Sequence, residues 1–125
     1  MMQVQQASIV KTFSQADFDD FAVLSGDSNP IHTDPGFCSG TRFGRTVAHG
    51  LLLCSVLRGL IAQLVPDGPL SEVEVMFPAP TYSGEPMQFS VSVSHQAEDD
   101  IKLHLEVKRM GDGVVTCQGH ARVSL

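Results

Sequence analysis

The sequence predicts an α+β fold in which an antiparallel β-sheet wraps around one long central helix. Residues 48–66 are apolar on nearly every side, which is typical of a helix that is buried all round. After Pro66 the apolar residues recur at every second position, as they do in strands with one buried face. Such a sheet needs an apolar cover, and this helix is the segment that can supply it. With 125 residues, the chain is expected to form a single domain, residues 1–125.

The first part of the chain predicts a short strand followed by a helix. Residues 3–13 have a weak strand pattern, and residues 14–26 carry the signals of a helix with defined ends. Ser14 and Asp17 can form a capping box at its start, and Gly26 suits a left-handed stop at its end. The apolar face of this helix is expected to consist of Phe18, Phe21, Val23 and Leu24.

Two helical segments are expected before the sheet. Asp34 and Pro35 can start one short helical turn, and the central helix follows and ends at Pro66. A narrow stripe of polar or small side chains interrupts the apolar surface of the central helix at Ser55, Arg58 and Ala62.

Four strands are predicted after the central helix, and turn-forming sequences separate them. Together with the early strand they are expected to form an antiparallel meander. The last strand runs from about Val114 to Val123. The alternating apolar residues of the others are Val73, Val75 and Phe77, then Met87, Phe89, Val91 and Val93, then Ile101, Leu103, Leu105 and Val107.

The sequence LSGDSNPIHTDP, residues 24–35, gathers polar side chains around a forced bend. On a continuous helix, the spacing of Asp27 and His32 would place them about 140° apart. Gly26 and Pro30 prevent that helix, so a bend can turn both side chains toward one point. A carboxylate beside an imidazole is suited to moving protons to and from a bound water. The same residue types also form ordinary turns, so the pattern alone leaves a plain loop open.

The central helix begins near Gly50, in the sequence VAHGLLL. The first N–H groups of a helix have no intrahelical acceptor and carry the positive end of the helix dipole. Because Gly50 has no side chain, a ligand oxygen can approach its N–H closely, as an oxyanion site for an acyl carbonyl requires. The alternative is a small residue that serves only the start of the helix.

These two stretches resemble the MaoC-like family of (R)-specific enoyl-CoA hydratases and dehydratases. The likeness is carried by FAVLSGDSNPIHTDPGF at residues 21–37 and by VAHGLLLCS at residues 47–55. It continues more weakly in FPAPTYSGEP at residues 77–86. The resemblance implies a hot-dog fold, acyl-thioester substrates and a homodimer whose two sheets join edge to edge.

The resemblance also implies roles for individual residues. Asp27 and His32 look like the catalytic pair that holds and activates water. That water is added across an α,β double bond to give an (R)-3-hydroxyacyl thioester, or is removed in the reverse reaction. The Gly50 N–H looks like the donor to the thioester carbonyl, and Asn29 like a supporting residue that shapes the loop. No cofactor is expected, since coenzyme A or an acyl carrier protein would enter as part of the substrate.

Arg58 departs from the family pattern. It stands two turns into the central helix, where family members commonly carry a small hydroxyl residue that faces the catalytic aspartate. An unpaired guanidinium in a buried helix is costly, so Arg58 is expected either to pair with Asp27 or to extend to the helix edge. If it fills part of the site, short acyl chains are expected to be preferred.

Several other residues are weaker candidates. His49, beside Gly50, is expected either to fix the start of the helix or to line the site. Arg42 and Arg45 could contact a phosphate of coenzyme A, with solvated loop charge as the alternative. No pair of histidines has a metal-ligand spacing, so no metal is expected. His95 and His104 are assigned to the surface and Cys54 to the core, and His120 lies on a predicted strand without a visible partner.

Composition narrows the function further. Hydrophobic residues make up 42% and charged residues 18%, as in folded proteins, and the net charge of −6 disfavours nucleic acid as a partner. No apolar run reaches the roughly 20 residues of a membrane span, and the first residues have no signal-peptide pattern. The three cysteines show neither a disulfide framework nor a CxxC spacing. We therefore expect a cytoplasmic protein with no membrane partner.

Two alternatives to a hydratase remain at the level of the sequence. A hot-dog thioesterase would use a carboxylate on the central helix as its base, but no Asp or Glu occurs between Thr41 and Val65. A non-catalytic module that binds acyl thioesters would not need both Asp27 and His32, although Arg58 keeps this alternative open. The sequence does not distinguish coenzyme A from an acyl carrier protein.

Overall fold

A computed structural model describes residues 5–125, so residues 3 and 4 of the predicted first strand lie outside it. Its strands and helices agree closely with the predicted elements, except that one short helix at Pro30–Thr33 was not predicted. In chain order the elements are β1 Gln6–Thr12, α1 Gln15–Ser25, α2 Pro30–Thr33, α3 Pro35–Cys38, α4 Gly50–Leu64, β2 Leu70–Met76, β3 Pro86–Gln96, β4 Asp100–Arg109 and β5 Val115–Ser124.

The strands form one five-stranded antiparallel sheet in the order β1-β3-β4-β5-β2. The predicted meander is correct for β3, β4 and β5, which pair in chain order. It is wrong for β2, which pairs with β5 at the far edge instead of with β3. The connection after β2 is too long for a tight hairpin, and its Tyr82 forms a bridge with Val47. As a result, β1 and β2 are the two edges of the sheet.

The core lies between helix α4 and one face of the sheet. Leu53, Leu57, Leu60 and Ile61 of α4 are buried and belong to one cluster with the sheet residues. The predicted alternation is confirmed in the strands that this cluster covers, because every second side chain is buried. These side chains are Met87, Phe89 and Val91 of β3 and Leu103, Leu105 and Val107 of β4.

The other side of α4 is open, so the prediction of a helix buried all round is wrong for the single chain. The predicted stripe of Ser55, Arg58 and Ala62 lies on this exposed side, and Leu51 beside it is 69% exposed. The apolar composition of a helix shows that it needs cover on every side, but not where that cover comes from. Within residues 5–125, no helix combines the length and the hydropathy that a membrane crossing requires.

Helix α1 has the predicted ends but not the predicted apolar face. Ser14 and Asp17 form the capping box. Phe18 is buried, whereas Val23 and Leu24 are 86% and 82% exposed. The helix is buried only on the side that carries Phe18 and Ala22, and the side chains of its last turn are exposed.

Candidate active site

The loop after α1 is shaped by short side-chain contacts. Gly26 ends α1 with a φ of 79°, in the left-handed region that glycine adopts most readily. The Asn29 N–H donates to Oδ1 of Asp27 at 3.2 Å, and Oδ1 of Asn29 accepts from the Ile31 N–H at 3.1 Å. Pro30 then occupies the first position of α2. These contacts turn the chain so that Asp27 faces His32.

His32 is buried, and its ring is held in one orientation. Its Nδ1 lies 2.8 Å from the carbonyl oxygen of Val47, which can only accept, so in the neutral ring Nδ1 carries the proton. Nε2 is therefore an acceptor, and it lies 3.8 Å from Oδ2 of Asp27. Two acceptors at this distance do not bond directly. They are well placed to receive the two hydrogens of one water molecule.

The backbone of His32 is anchored from the first turn of α1. Nε2 of Gln15 donates to the His32 carbonyl at 2.9 Å, and Oε1 of Gln15 accepts from the Thr46 hydroxyl at 2.6 Å. The side-chain amide of Gln15 thus links α1, the loop that carries Asp27 and His32, and the segment that leads into α4. The sequence analysis did not identify Gln15 or Thr46 as functional, because neither forms a local motif with His32.

His49 lies against His32 and lines the same cavity. The two rings stack with their centroids 3.8 Å apart and an interplanar angle of 24°, and the edge of Phe21 closes the stack. Nε2 of His49 donates to the carbonyl oxygen of Asp27 at 2.9 Å. His49 therefore contacts both halves of the Asp27–His32 pair, and it also precedes the first residue of α4.

Ligand atoms of Asp27, His32 and His49 lie within 4.8 Å of one another, as in a metal site. Two stacked imidazoles, however, hold their in-plane lone pairs in two separate, nearly parallel planes, which does not suit binding of one ion by both rings. The Nε2 atom of His49 is also occupied by a carbonyl. The geometry suits a bound water better than a tetrahedral metal centre.

Gly50 is the first residue of α4, and the ring of Phe77 covers it. A methyl group added at Gly50 would stand 2.7 Å from Cζ of Phe77, so a side chain at this position would displace the ring. The two residues lie beside His32, since both line the same cavities as its ring. Phe77 was predicted only as a strand residue. It follows the end of β2 and forms a wall of the site.

Three adjoining cavities lie along the start and the open side of α4. The catalytic-loop cavity, about 270 Å³, contains Asp27, His32 and Gly50. The Arg42 cavity, about 360 Å³, shares His32, Gly50 and Phe77 with it. The Arg58 cavity, about 340 Å³, shares Leu51, Cys54 and Val75 with the catalytic-loop cavity. The Asp27–His32 pair thus lies in the middle of a path with an arginine toward each end.

The structure does not bring Arg58 to Asp27. Arg58 is exposed on the open side of α4, and no ion pair joins it to any carboxylate of residues 5–125. The predicted pair is therefore wrong within one chain, and the alternative that the side chain reaches the helix edge is correct. The cause is the open side of α4, which spares the guanidinium the cost of burial.

The two loop arginines have different surroundings. Arg45 donates to Glu85 at 3.1 Å and to the Ser83 carbonyl at 2.6 Å, and its guanidinium lies over Tyr82. These contacts hold the loop together and occupy the side chain. Arg42 instead lines a cavity that reaches the site, so it is the arginine available to a ligand.

Cys54 is half-buried, not fully buried, and it borders both the catalytic-loop and the Arg58 cavities. Burial raises the pKa of its thiol, which lowers its reactivity as a nucleophile. The outer face of the sheet carries a second group of titratable side chains. His104 is exposed, as predicted, and His120, for which no partner was predicted, lies 3.4 Å from Glu72 and 3.6 Å from Glu74.

Comparisons with known proteins agree on one family. A family model described as MaoC like domain matches residues 2–116. The chain is 36% identical over 97 residues to the (R)-specific enoyl-CoA hydratase of Aeromonas caviae, covering 76% of this chain and 72% of that relative. It is 31% identical over 110 residues to the 3-hydroxybutyryl-CoA dehydratase of Methylorubrum extorquens, covering 84% and 69%.

The fold is similar to that of solved structures. A structure described as the (R)-hydratase from A. caviae involved in PHA biosynthesis superposes with a TM-score of 0.90 at 32% identity. The superposition covers 99% of this chain and 97% of that one.

Proposed function

Because the chain belongs to the MaoC-like family and has its hot-dog fold, we propose that it is an (R)-specific enoyl-thioester hydratase. The reaction is the addition of water to a trans-2-enoyl thioester to give an (R)-3-hydroxyacyl thioester, or the reverse dehydration. The observation that carries this proposal is the Asp27–His32 pair, with Oδ2 and Nε2 3.8 Å apart beside the start of α4.

The pair is suited to hold and activate one water molecule. The water donates one hydrogen to Oδ2 of Asp27 and the other to Nε2 of His32, so that a lone pair on its oxygen faces C3 of the substrate. As the new C3–O bond forms, Nε2 takes the proton from the water, and the electrons of the double bond move toward the thioester carbonyl. The same proton is then delivered to C2. One H and one OH have been added, and His32 returns to its starting state.

The start of α4 is suited to stabilise the charge that develops on the carbonyl oxygen. The Gly50 N–H is among the first donors of a helix that runs from Gly50 to Leu64, so it is free of intrahelical bonds and lies at the positive end of the dipole. A donor fixed in advance at this position stabilises the enolate-like transition state more than the neutral substrate. Phe77 covers Gly50 and restricts the access of bulk water to this donor.

The first test is the hydration of crotonyl-CoA, followed as the loss of absorbance of the conjugated enoyl thioester. Chiral analysis of the product should give the (R) enantiomer. The double variant Asp27→Ala, His32→Ala should lose at least ~10²-fold in rate, since a positioned acid–base group contributes about that much. A folded double variant that keeps the wild-type rate would contradict the proposed function.

The position of Arg58 argues against the alternative of a non-catalytic module that only binds acyl thioesters. That alternative depended on Arg58 occupying Asp27, and Arg58 lies away from it on the open side of α4. The thioesterase alternative needs a carboxylate on the central helix, and α4 has none from Gly50 to Leu64.

We further propose that the carrier of the acyl group, coenzyme A or an acyl carrier protein, approaches past Arg42, while no separate cofactor takes part. The support is the Arg42 cavity, which adjoins the catalytic-loop cavity at His32 and Gly50. Arg42→Ala should raise the KM of a coenzyme A thioester severalfold. The corresponding pantetheine thioester has no nucleotide phosphates, so its KM should stay the same. Equal effects on both thioesters would contradict this role.

We also propose that the protein is a homodimer. The open side of α4 and the edge strand β2 expose apolar side chains that a second copy would cover, with Leu51 69%, Val73 46% and Phe77 47% exposed. Light scattering should give about twice the chain mass of 13.5 kDa. Leu51→Glu should yield monomers, whereas Val10→Glu on the opposite edge should not. A monodisperse and active wild-type monomer would contradict the dimer.

A cytoplasmic location fits this proposal. The three cysteines, Cys38, Cys54 and Cys117, are all free thiols, as is usual in a reducing compartment.

A further inference from the structure

We propose that the acyl chain of the preferred substrate ends in a carboxylate, and that Arg58 binds this carboxylate. The inference rests on the proposed hydratase function, because it assumes that the thioester carbonyl lies at Gly50 and that C3 faces the Asp27–His32 pair. It names the substrate class: trans-2-enoyl thioesters of short dicarboxylic acids.

The first argument is the direction of the available space. From the catalytic-loop cavity, the path continues along α4 into the Arg58 cavity, and Leu51, Cys54 and Val75 line both. If the carrier lies on the Arg42 side, the part of the acyl group beyond C3 extends into this second cavity. The acyl group therefore points from the site toward Arg58.

The second argument is the chemistry of the cavity at its far end. Apart from Arg58, the residues that line it have apolar side chains or, at Cys54, a thiol. A fully apolar cavity would suit a hydrocarbon tail, but a single guanidinium at the rim suits a tail that ends in an anion. Arg58 forms no ion pair with a carboxylate of residues 5–125, so within the single chain its donors are free to bind a ligand. A guanidinium binds a carboxylate through two parallel hydrogen bonds, which fixes both distance and orientation.

The third argument is length. Arg58 lies about two turns after Gly50, which is about 12 Å along the helix axis. Side chains of a helix lean toward its N-terminus, and Arg58 lines the same cavity as Leu51 and Cys54, so the remaining gap is shorter than this. A chain of a few carbons beyond the thioester carbonyl fills that gap, whereas a long fatty acyl chain would meet the guanidinium.

The test compares three substrates with the wild-type protein: crotonyl-CoA, trans-2-hexenedioyl-CoA and 6-methyl-trans-2-heptenoyl-CoA. The last of these replaces the terminal carboxylate by an isopropyl group of similar shape. We expect kcat/KM for the dicarboxylyl thioester to exceed that of its neutral counterpart by about ten- to hundredfold, the usual range for hydrogen bonds to charged groups. Arg58→Gln should reduce this ratio to near one, mainly through KM.

Lys102→Gln is the matched control. It removes one positive charge from an exposed position on the outer face of the sheet, so the ratio should be unchanged. This control separates binding by Arg58 from a general effect of net charge on an anionic substrate.

Three results would overturn the inference. The first is a wild type without a preference for the dicarboxylyl thioester, and the second is a preference that survives Arg58→Gln. The third is an Arg58→Gln variant that is monomeric where the wild type is a dimer. The third result would mean that Arg58 binds the second copy instead. Hydration of crotonyl-CoA without a preference defeats this inference alone, whereas absence of hydration with all three substrates defeats the proposed function.

Discussion

The molecule has two pairs of histidines with carboxylates beside them, and only one of these pairs is buried in a cavity. His32 and His49 stack in a buried position next to Asp27. His104 and His120 lie opposite each other on β4 and β5, on the exposed outer face of the sheet. The residue types in the two pairs are nearly the same. What differs is which atoms hold the rings in place.

In the buried pair, backbone carbonyls hold the rings. Nδ1 of His32 lies 2.8 Å from the Val47 carbonyl and Nε2 of His49 2.9 Å from the Asp27 carbonyl, so ring orientation and tautomer are both fixed. In the outer pair, the partners are exposed carboxylate side chains at 3.4 to 3.9 Å. Such side chains rotate in water, and they give the imidazole no defined direction. Fixed geometry, and not the presence of an acid beside a histidine, is what we expect of a catalytic pair.

The largest expected difference between the two pairs is in catalytic rate. His32→Ala should lower kcat for crotonyl-CoA by at least ~10²-fold, because in the proposed mechanism it removes the group that takes the proton from water. His120→Ala, the matched change in the outer pair, should leave kcat unchanged. Initial rates of absorbance loss measure both. Similar losses in the two variants would show that the comparison does not separate catalytic from surface histidines.

A smaller effect on the rate is expected from His49, the partner histidine in the buried pair. His49→Phe keeps an aromatic ring on His32 but removes the hydrogen bond to the Asp27 carbonyl. We expect kcat to fall about five- to tenfold, the worth of one hydrogen bond, with little change in KM. His104→Phe is the control and should change neither value. A KM that rises while kcat stays constant would mean that His49 lines the substrate site and does not position Asp27.

The smallest effect is expected on stability. Exposed ion pairs contribute between 0 and about 1 kcal/mol, so the double variant His104→Ala, His120→Ala should lower the free energy of unfolding by less than about 1 kcal/mol. Urea denaturation monitored by circular dichroism measures this change. A loss well above that range would show that the outer pair stabilises the edge of the sheet, and that exposure alone does not make a histidine pair dispensable.

The parts of the fold that were predicted from the sequence depend on local interactions. The ends of α1 follow from Ser14, Asp17 and Gly26, whose contacts span only a few residues. The alternation in β3 and β4 reflects burial on one face, which a period of two reports directly. The bend between Asp27 and His32 was predicted for the same reason, since Gly26 and Pro30 exclude a continuous helix.

The parts that were not predicted depend on contacts between distant segments. Gln15 donates to the His32 carbonyl, but the sequence shows only a polar residue in the first turn of a helix. Phe77 covers Gly50, but the sequence shows only an FPAP segment after a strand. The pairing of β2 with β5 and the open side of α4 are likewise set by the assembled sheet. Arg58 was misplaced because the helix around it was assumed to be covered on all sides.

The pairing of β1 with β3 has a consequence for how the protein becomes active as it folds. Thr12 lies opposite Pro86, so Gln15, Asp27, His32 and Phe77 all lie inside the loop that this pairing closes. Closing a long loop costs chain entropy before its contacts return any stability, and topologies rich in distant pairings fold slowly. Helix α1 has its own caps and can form before that closure, whereas α4 has no side-chain cap and needs the sheet to cover its apolar residues. We therefore expect catalytic competence to be acquired late, when two distant strands meet, and a chain arrested earlier to be inactive.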